Sequence, residues 1–253
     1  MLLTIDVGNS NIVAGVWKGE SLLYSWRLHT VAKKTEDEYG TLFRSLFQDK
    51  NLDPKSLRKV CLSSVVPSLT DPMVTMVERF TGQSPVVVGP AIYEKLPINV
   101  VNPYEVGADL VADAMAAYAT CKGACVVVDF GTALTFTIVD ASGTMQGVAI
   151  APGLGTAVNA LSRDTAQLPY VQLAVPPAPY GKNTLHAIQA GVVYGYTGLV
   201  EYMIARIKED LQVDLQVIAT GGLCDVIAPL TRVFTYVDKD LTLRGLKLIA
   251  EHC

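Results

Sequence analysis

Long apolar runs, excess basic charge and clustered cysteines are all scarce in this chain. No uninterrupted apolar stretch approaches the ~20 residues that a membrane-spanning helix needs, and no basic segment precedes the first apolar residues. We therefore expect no membrane partner, and a core strand rather than a signal peptide at the N-terminus. A formal net charge of −4 and a pI near 5.4 predict no nucleic-acid partner, because a phosphate backbone requires a basic surface. The five scattered cysteines favour buried thiols of a cytoplasmic protein over a zinc site.

The common nucleotide-binding sequences are also absent. Gly181-Lys182-Asn183-Thr184 matches a P-loop only in part, because Pro176 stands where the first glycine is required and Asn183 where Ser or Thr is required. The chain has neither the glycine-rich loop and His-Arg-Asp of protein kinases nor Rossmann spacing. A nucleotide site in this protein must therefore be built in another way.

An Asp-x-Gly turn occurs twice in matching contexts. Asp6-Val7-Gly8-Asn9-Ser10 and Asp129-Phe130-Gly131-Thr132-Ala133 each follow an apolar strand and precede another strand, and they lie 123 positions apart in 253 residues. Backbone N–H groups at small residues can bind phosphate oxygens, and an aspartate at a strand end can hold a cation. Asp6 suits hydrated Mg²⁺, which takes few carboxylates. A simple turn remains the alternative for each copy, but two matching copies favour phosphate binding and ATP chemistry.

The secondary-structure pattern repeats in the same way. Strands are predicted at 2–6, 12–17, 22–28, 59–63 and 85–88 in the first half, and at 124–129, 134–139, 144–150, 215–219 and 233–237 in the second. Helices are predicted at 36–47, 70–80, 156–161, 183–211 and 242–252, and Gly107-Ala108-Asp109 opens another. This pattern indicates an α/β protein of two halves, 1–115 and 116–253, each a mixed sheet packed with helices. The long helix is apolar enough to pack in a core or against a second copy.

An ordered series of short motifs carries a family resemblance over nearly the whole chain. Besides the two aspartate turns, the series comprises Asn102-Pro103 with Val106-Gly107-Ala108-Asp109, Ile150-Ala151-Pro152-Gly153-Leu154, Ala166-Gln167-Leu168-Pro169, Gly181-Lys182-Asn183-Thr184, Thr220-Gly221-Gly222-Leu223 and Leu241-Thr242-Leu243-Arg244-Gly245-Leu246. Each fragment is weak alone, but the ordered set is specific. The chain resembles type III pantothenate kinases.

The resemblance implies a fold, a reaction and a set of site residues. The fold would be the two-domain actin-like (ASKHA, ribonuclease H-like) fold, with duplicated mixed sheets and a central cleft. The reaction would be phosphorylation of pantothenate by ATP in coenzyme A biosynthesis, in a cytoplasmic homodimer that uses Mg²⁺ and a monovalent cation, K⁺ or NH4⁺. By position, Asp109 would be the catalytic base, Asp129 would bind the monovalent cation and Asp6 would hold Mg²⁺ through water. The residues expected to bind ATP are Asp6, Val7, Gly8, Asn9, Ser10, Asn11, Ile12, Val13 and Thr132. Those expected to bind pantothenate are Val100, Gly107, Ala108, Asp109, Leu110 and, from the partner subunit, Thr184.

The chain departs from the family pattern at three positions. Leu110 replaces the arginine of Gly-x-Asp-Arg, Val100 replaces a tyrosine and Val148 replaces a glycine. We expect all three on the acceptor side, whereas the nucleotide motifs are intact. Two alternatives therefore stay open: a nucleotide-binding regulatory or inactive paralogue, and a kinase of the same fold for another small alcohol. Without the resemblance, local physics would make Asp109 a helix N-cap.

Overall fold

The computed structural model describes all residues, 1–253, and divides the chain into two compact units. The first unit comprises 1–116 together with 241–253, and the second comprises 117–240. No helix is both long enough and apolar enough to cross a membrane. Each unit has its own mixed sheet and its own hydrophobic core.

The first unit contains, up to a boundary that falls within its fourth helix, the elements β1 (Leu2–Val7), β2 (Asn11–Lys18), β3 (Ser21–His29), α1 (Glu36–Asp49), β4 (Lys59–Ser64), α2 (Pro67–Thr81), β5 (Val86–Val87), α3 (Pro90–Tyr93), β6 (Asn99–Val100) and α4 (Ala108–Cys121). Five of the strands form one sheet in the order β3–β2–β1–β4–β5. The strands β1 to β3 form an antiparallel meander, and β4 and β5 run parallel to β1.

The second unit contains the elements β7 (Cys125–Phe130), β8 (Ala133–Val139), β9 (Thr144–Pro152), α5 (Leu154–Asp164), α6 (Thr184–Leu211), β10 (Gln216–Thr220), α7 (Cys224–Ile227) and β11 (Tyr236–Val237). Its strands lie in the order β9–β8–β7–β10–β11 within a six-stranded sheet. The strands β7 to β9 form an antiparallel meander, and β10 and β11 run parallel to β7, so these five strands repeat the topology of the first sheet. The long helix α6 packs its buried face into the core of this unit.

The last helix, α8 (Leu241–His252), returns to the first unit. It packs on β1 and β4, and its apolar residues Leu243, Leu246 and Ile249 are buried. The buried Lys247 ammonium also bonds Glu20 in the turn between β2 and β3. The boundary expected from the sequence, at 115/116, assigns this segment to the second half, because a break in the chain's pattern does not show on which sheet a helix will pack.

Most elements match the sequence prediction to within two residues, and the differences have local causes. The helix predicted at 70–80 begins at Pro67, where a missing N–H is harmless in the first turn. Asn183 is the N-cap of α6, and its side-chain oxygen accepts from His186 N at 2.8 Å. The strand predicted at 233–237 pairs only over its last two residues. The short elements α3 and β6 were not predicted.

Candidate functional site

The first aspartate turn closes a tight hairpin at the end of β1. Gly8 N donates to Asn11 O at 3.0 Å, which closes the turn between β1 and β2. Thr30, which follows β3, secures the loop from the side: its Oγ1 donates to Gly8 O at 2.7 Å and its N to Ser10 O at 3.0 Å. The side-chain amides of Asn9, which is exposed, and Asn11, which is partly buried, make no hydrogen bond to the protein.

Asp6 lies at the carboxyl end of β1, opposite Ser63 of the parallel strand β4. The Ser63 hydroxyl is buried and makes no hydrogen bond within the protein. Two oxygen-bearing side chains are therefore neighbours at the strand ends that flank the hairpin. Of the other residues expected to bind ATP, Val7 and Ile12 have fully buried side chains, so only their backbone groups can serve a nucleotide.

Asp109 lies in the first turn of α4, in the same unit. The helix begins at Ala108, so Asp109 is inside the first turn, and the N-cap interpretation is wrong. Its Oδ1 accepts from the neighbouring Leu110 N at 2.8 Å. A Cβ at Gly107 would stand 2.5 Å from that same oxygen, so a side chain at position 107 would force the carboxylate to shift. Burial raises the pKa of Asp109 above its usual range, against the lowering effect of hydrogen bonds from backbone N–H groups.

Val65 links Asp109 to the hairpin. Its N donates to Val7 O at 3.0 Å, and its Cγ1 would lie 3.5 Å from a Cβ at Gly107. Tyr93 of α3 is also close, because the negative charge of Asp109 adds to burial in raising the pKa of the Tyr93 phenol. The first unit thus brings the first hairpin, Asp109 and Tyr93 into one neighbourhood. Val100 and Leu110, which replace family residues, have buried side chains.

The second aspartate turn is built in the same way in the second unit. Asp129 near the end of β7 lies opposite Thr135 of β8 and Thr220 of β10. The loop is held by Thr132 O, which accepts from Gly153 N at 3.0 Å and from Thr156 Oγ1 at 2.6 Å. The start of α5 therefore fixes the second hairpin, as Thr30 fixes the first.

Gly221 brings the loop after β10 against Asp129. Its φ is +91°, and a Cβ there would overlap Asp129 Oδ1 and lie 2.6 Å from Phe130 N. Only glycine satisfies both the backbone angle and this approach. The Thr220-Gly221-Gly222 motif thus packs against the second aspartate.

Thr184 is the exposed first residue of α6. It lines a cavity of about 570 Å³ in the second unit, together with Leu161, Leu168, Lys182 and Ile188. Val148 lines a different cavity, beside Arg206 and Leu211 near the other end of this 28-residue helix. Val148 and Thr184 therefore lie at different cavities of the second unit.

The carboxylates of the two aspartate turns are better suited to a cation that binds together with a substrate than to a permanently bound metal ion. No three His, Cys, Asp or Glu side chains lie close enough to form a metal site. Asp6 and Asp129 each bring a single carboxylate, with a buried hydroxyl opposite that makes no hydrogen bond, from Ser63 and Thr135 respectively. Oxygen donors of this kind suit hard cations, and Mg²⁺ in particular keeps waters and substrate phosphates as its other ligands.

Sequence reasoning missed Thr30, Thr156 and Tyr93 as site residues and gave Gly221 no role. Thr30 and Thr156 lie 22 and 24 positions from the turns that they hold. A single Thr after a strand or in a helix carries no local signal of such a contact. The Gly-Gly sequence at 221 was a visible signal of close backbone approach.

Comparison with known proteins identifies the family. A family model for type III pantothenate kinases matches residues 2–206. The chain belongs to the type III pantothenate kinase family. It is 46% identical over 251 residues to the type III pantothenate kinase of Anaeromyxobacter sp. (strain K), and 44% identical over 251 residues to that of Moorella thermoacetica, with 99% of each chain covered in both cases.

Solved structures confirm the predicted fold class. An activator of 2-hydroxyisocaproyl-CoA dehydratase from Clostridium difficile, with bound ADPNP, has a TM-score of 0.57 at 11% identity, covering 98% of this chain and 93% of that one. The ROK hexokinase from Thermus thermophilus has a TM-score of 0.50 at 13% identity, covering 99% and 97%. At such low identity the likeness is one of fold alone, and that fold is the actin-like α/β fold with two mixed sheets.

Proposed function

We propose that this protein transfers the γ-phosphoryl group of ATP to the terminal hydroxyl of pantothenate, the first step of coenzyme A biosynthesis. Membership of the type III pantothenate kinase family supports the reaction. The observation that carries the proposal is Asp109, a partly buried carboxylate with a raised pKa, joined through Val65 to a phosphate-binding type of hairpin. An alcohol acceptor requires a general base that takes up its proton close to the bound phosphates, and Asp109 lies near the hairpin proposed to bind them.

The two hairpins are proposed to bind the nucleotide phosphates. Their backbone N–H groups, with the amides of Asn9 and Asn11 and the hydroxyls of Ser10 and Thr132, provide donors without a P-loop. Such fixed donors neutralise charge on the transferring phosphoryl group, and this accounts for most of the catalysis in phosphoryl transfer. Asp6 would hold hydrated Mg²⁺ and Asp129 a monovalent cation, K⁺ or NH4⁺, which supply positive charge to the phosphates.

Asp109 is proposed to accept the proton of the attacking hydroxyl. The pantothenate oxygen forms a bond to the γ-phosphorus as the bond from that phosphorus to the β-γ bridging oxygen breaks, and ADP leaves. The proton of the alcohol passes to the Asp109 carboxylate. A raised pKa makes this carboxylate a stronger base than an ordinary aspartate. Gly107 keeps the space in which the carboxylate sits.

The acceptor site is proposed to be completed by a partner subunit in a cytoplasmic homodimer. Thr184 is exposed beside the cavity at the start of α6, and the second unit carries several exposed apolar side chains, among them Ile150, Tyr170 and Tyr180. Burial of these groups between two copies would stabilise a dimer. Leu110 and Val100 add no polar contact to pantothenate, so the polar contacts fall to other groups, with Thr184 and Tyr93 the leading candidates.

Acceptor selectivity tests this proposal. Purified protein with Mg·ATP in potassium buffer would be given pantothenate and a panel of other small primary alcohols, and the products identified by mass spectrometry. We expect 4′-phosphopantothenate as the dominant product. Faster phosphorylation of another alcohol would show that this alcohol, and not pantothenate, is the substrate. If the protein binds ATP but phosphorylates none of the alcohols, the result would favour the regulatory alternative. Neither alternative is favoured by the relatives, which are named as pantothenate kinases.

A further inference from the structure

The C-terminal helix α8 lies directly against α4, the helix that carries Asp109. Two residues on one face of α8, Thr242 and Gly245, make this contact, and their spacing of three places them on adjacent turns. Both helix segments belong to the first unit. Thr242 makes a polar side-chain contact with α4, and Gly245 lies against the backbone of α4.

Thr242 makes the polar contact. Its Oγ1 donates to Asp113 Oδ1 at 2.7 Å, across 129 positions of sequence. Asp113 is only 1% exposed, so this carboxylate has little access to water and depends on protein donors. Loss of a hydrogen bond to a buried carboxyl group is costly, because water cannot replace the missing donor.

Gly245 makes the close contact. A Cβ at this position would overlap the carbonyl oxygen of Ala112 and lie 2.9 Å from its Cα. Because the obstacle is backbone, no rotation of a side chain could relieve the overlap. Any larger residue must push α8 and α4 apart.

These contacts fall on the face of α4 that begins with Asp109. Asp109, Ala112 and Asp113 are spaced i, i+3 and i+4, so they share one face of the helix. A shift of α4 at Ala112 and Asp113 would therefore be felt one turn away, at the carboxylate. We infer that Thr242 and Gly245 are positioning residues, which hold α4 so that Asp109 meets the acceptor hydroxyl. The inference rests on the proposed function, because it assigns these residues to the same reaction.

The test compares Thr242→Val and Gly245→Ala with wild type in pantothenate-dependent ADP formation across a pH series. We expect kcat to fall by about tenfold to a hundredfold in both, with little change in KM for ATP, because small misplacement of a reacting group is costly. A displaced helix start also exposes Asp109, so the acid limb of the rate profile should move to lower pH. Thr242→Ser keeps the hydroxyl and should restore both kcat and the profile.

Lys247→Met is the matched control. Lys247 is buried and its ammonium bonds Glu20 at 2.8 Å and Glu251 at 2.9 Å, so this variant removes another anchor of α8 whose polar partners lie outside α4. It should lower thermal stability but leave kcat and the pH profile as in wild type. An equal loss of kcat in Lys247→Met would show that α8 acts only through general stability and would overturn the inference.

The remaining outcomes are also decisive. If Gly245→Ala does not fold, Thr242→Val carries the test, because it removes one hydroxyl and no volume. A folded Thr242→Val protein with wild-type kcat and pH profile overturns the positioning role alone. If the wild-type protein shows no pantothenate-dependent turnover, the proposed function itself is wrong. Because wild type is measured before any variant, this failure is distinguished from failure of the positioning role.

Discussion

Gly221 stands against the carboxylate of Asp129, in a backbone conformation that favours glycine. Its φ is +91°, and a Cβ would overlap Asp129 Oδ1. The loop after β10 thus packs against the second aspartate turn. Only a glycine at position 221 allows both the positive φ and the close approach to Asp129.

Gly221→Ala should therefore damage the second hairpin. We expect a loss of about 1–3 kcal/mol in unfolding free energy from backbone strain, together with weaker activation by potassium, because the Asp129 carboxylate must move. Thermal unfolding and a potassium titration of the rate measure the two effects. Gly19→Ala is the control, because its φ of +59° is strained but nothing lies within 4 Å of its Cβ. Normal potassium activation in Gly221→Ala would contradict the proposed role of Asp129.

Thr30→Val should loosen the first hairpin and weaken ATP binding. The variant loses the hydrogen bond from Oγ1 to Gly8 O, a contact worth about 1 kcal/mol. We expect KM for ATP to rise several-fold with a small change in kcat. Thr41→Val removes a comparable side-chain bond to Asp37 O on α1, away from the hairpin, and should leave KM unchanged. Equal values of KM in the two variants would argue against the hairpin as the ATP site.

The raised pKa of Asp109 predicts an acid limb in the pH–rate profile. The base works as a carboxylate, so kcat/KM should fall as pH decreases through a pKa above the usual range of Asp. Burial penalises the ionised form in the folded state, so the ionised group costs stability at neutral pH, and Asp109→Asn should unfold at a slightly higher temperature than wild type. An inactive variant that is also less stable would indicate misfolding rather than loss of a base.

The ion pair between Lys247 and Glu20 should make stability depend on pH at both extremes. Burial alone would lower the pKa of Lys247, but hydrogen bonds to Glu20 and Glu251 outweigh it and raise that pKa. Lys247 lowers the pKa of Glu20. The stabilisation is therefore lost as pH falls through the folded pKa of Glu20, and as pH rises through that of Lys247. Wild type should exceed Glu20→Gln in Tm at neutral pH, and the two should converge in acid. A constant difference would mean that the pair does not carry the effect.

The cysteines should divide into two reactivity classes. Burial raises the pKa of Cys61 to about 12 and of Cys224 to about 11, and also raises that of Cys125. Their thiolates are scarce at pH 8, so they should resist thiol reagents until the protein unfolds. Cys121 and Cys253 are only partly buried and should react first. Rapid labelling of all five in native buffer would contradict the packing described.

The fold was predictable where the sequence pattern is local. The meanders β1–β3 and β7–β9 follow from alternating apolar residues and glycine turns, and α1 from a capping box of Thr35 and Glu38. The place of α8 was not predictable, because its partners lie on β1, β4 and the β2–β3 turn, far away in the sequence: Lys59 is 191 positions from Ala250, and Glu20 is 227 positions from Lys247. Such packing depends on tertiary contact and leaves no periodic signal.

The candidate site was predictable in part. The duplicated aspartate turns follow from spacing, whereas the role of Asp109 came from resemblance, since local physics alone favoured an N-cap. The helix start at Ala108 removes that alternative. The groups that hold the turns, Thr30 and Thr156, act across more than 20 residues and could be found only in three dimensions.

The most direct test of the account is ADP formation from Mg·ATP, with and without pantothenate, in potassium, ammonium and sodium buffers, for wild type and Asp109→Asn. We predict turnover that requires pantothenate, is faster in potassium or ammonium than in sodium, and falls by about 10²-fold or more in the variant. No turnover at millimolar pantothenate by a protein that still binds ATP would contradict the assignment of this chain as a pantothenate kinase.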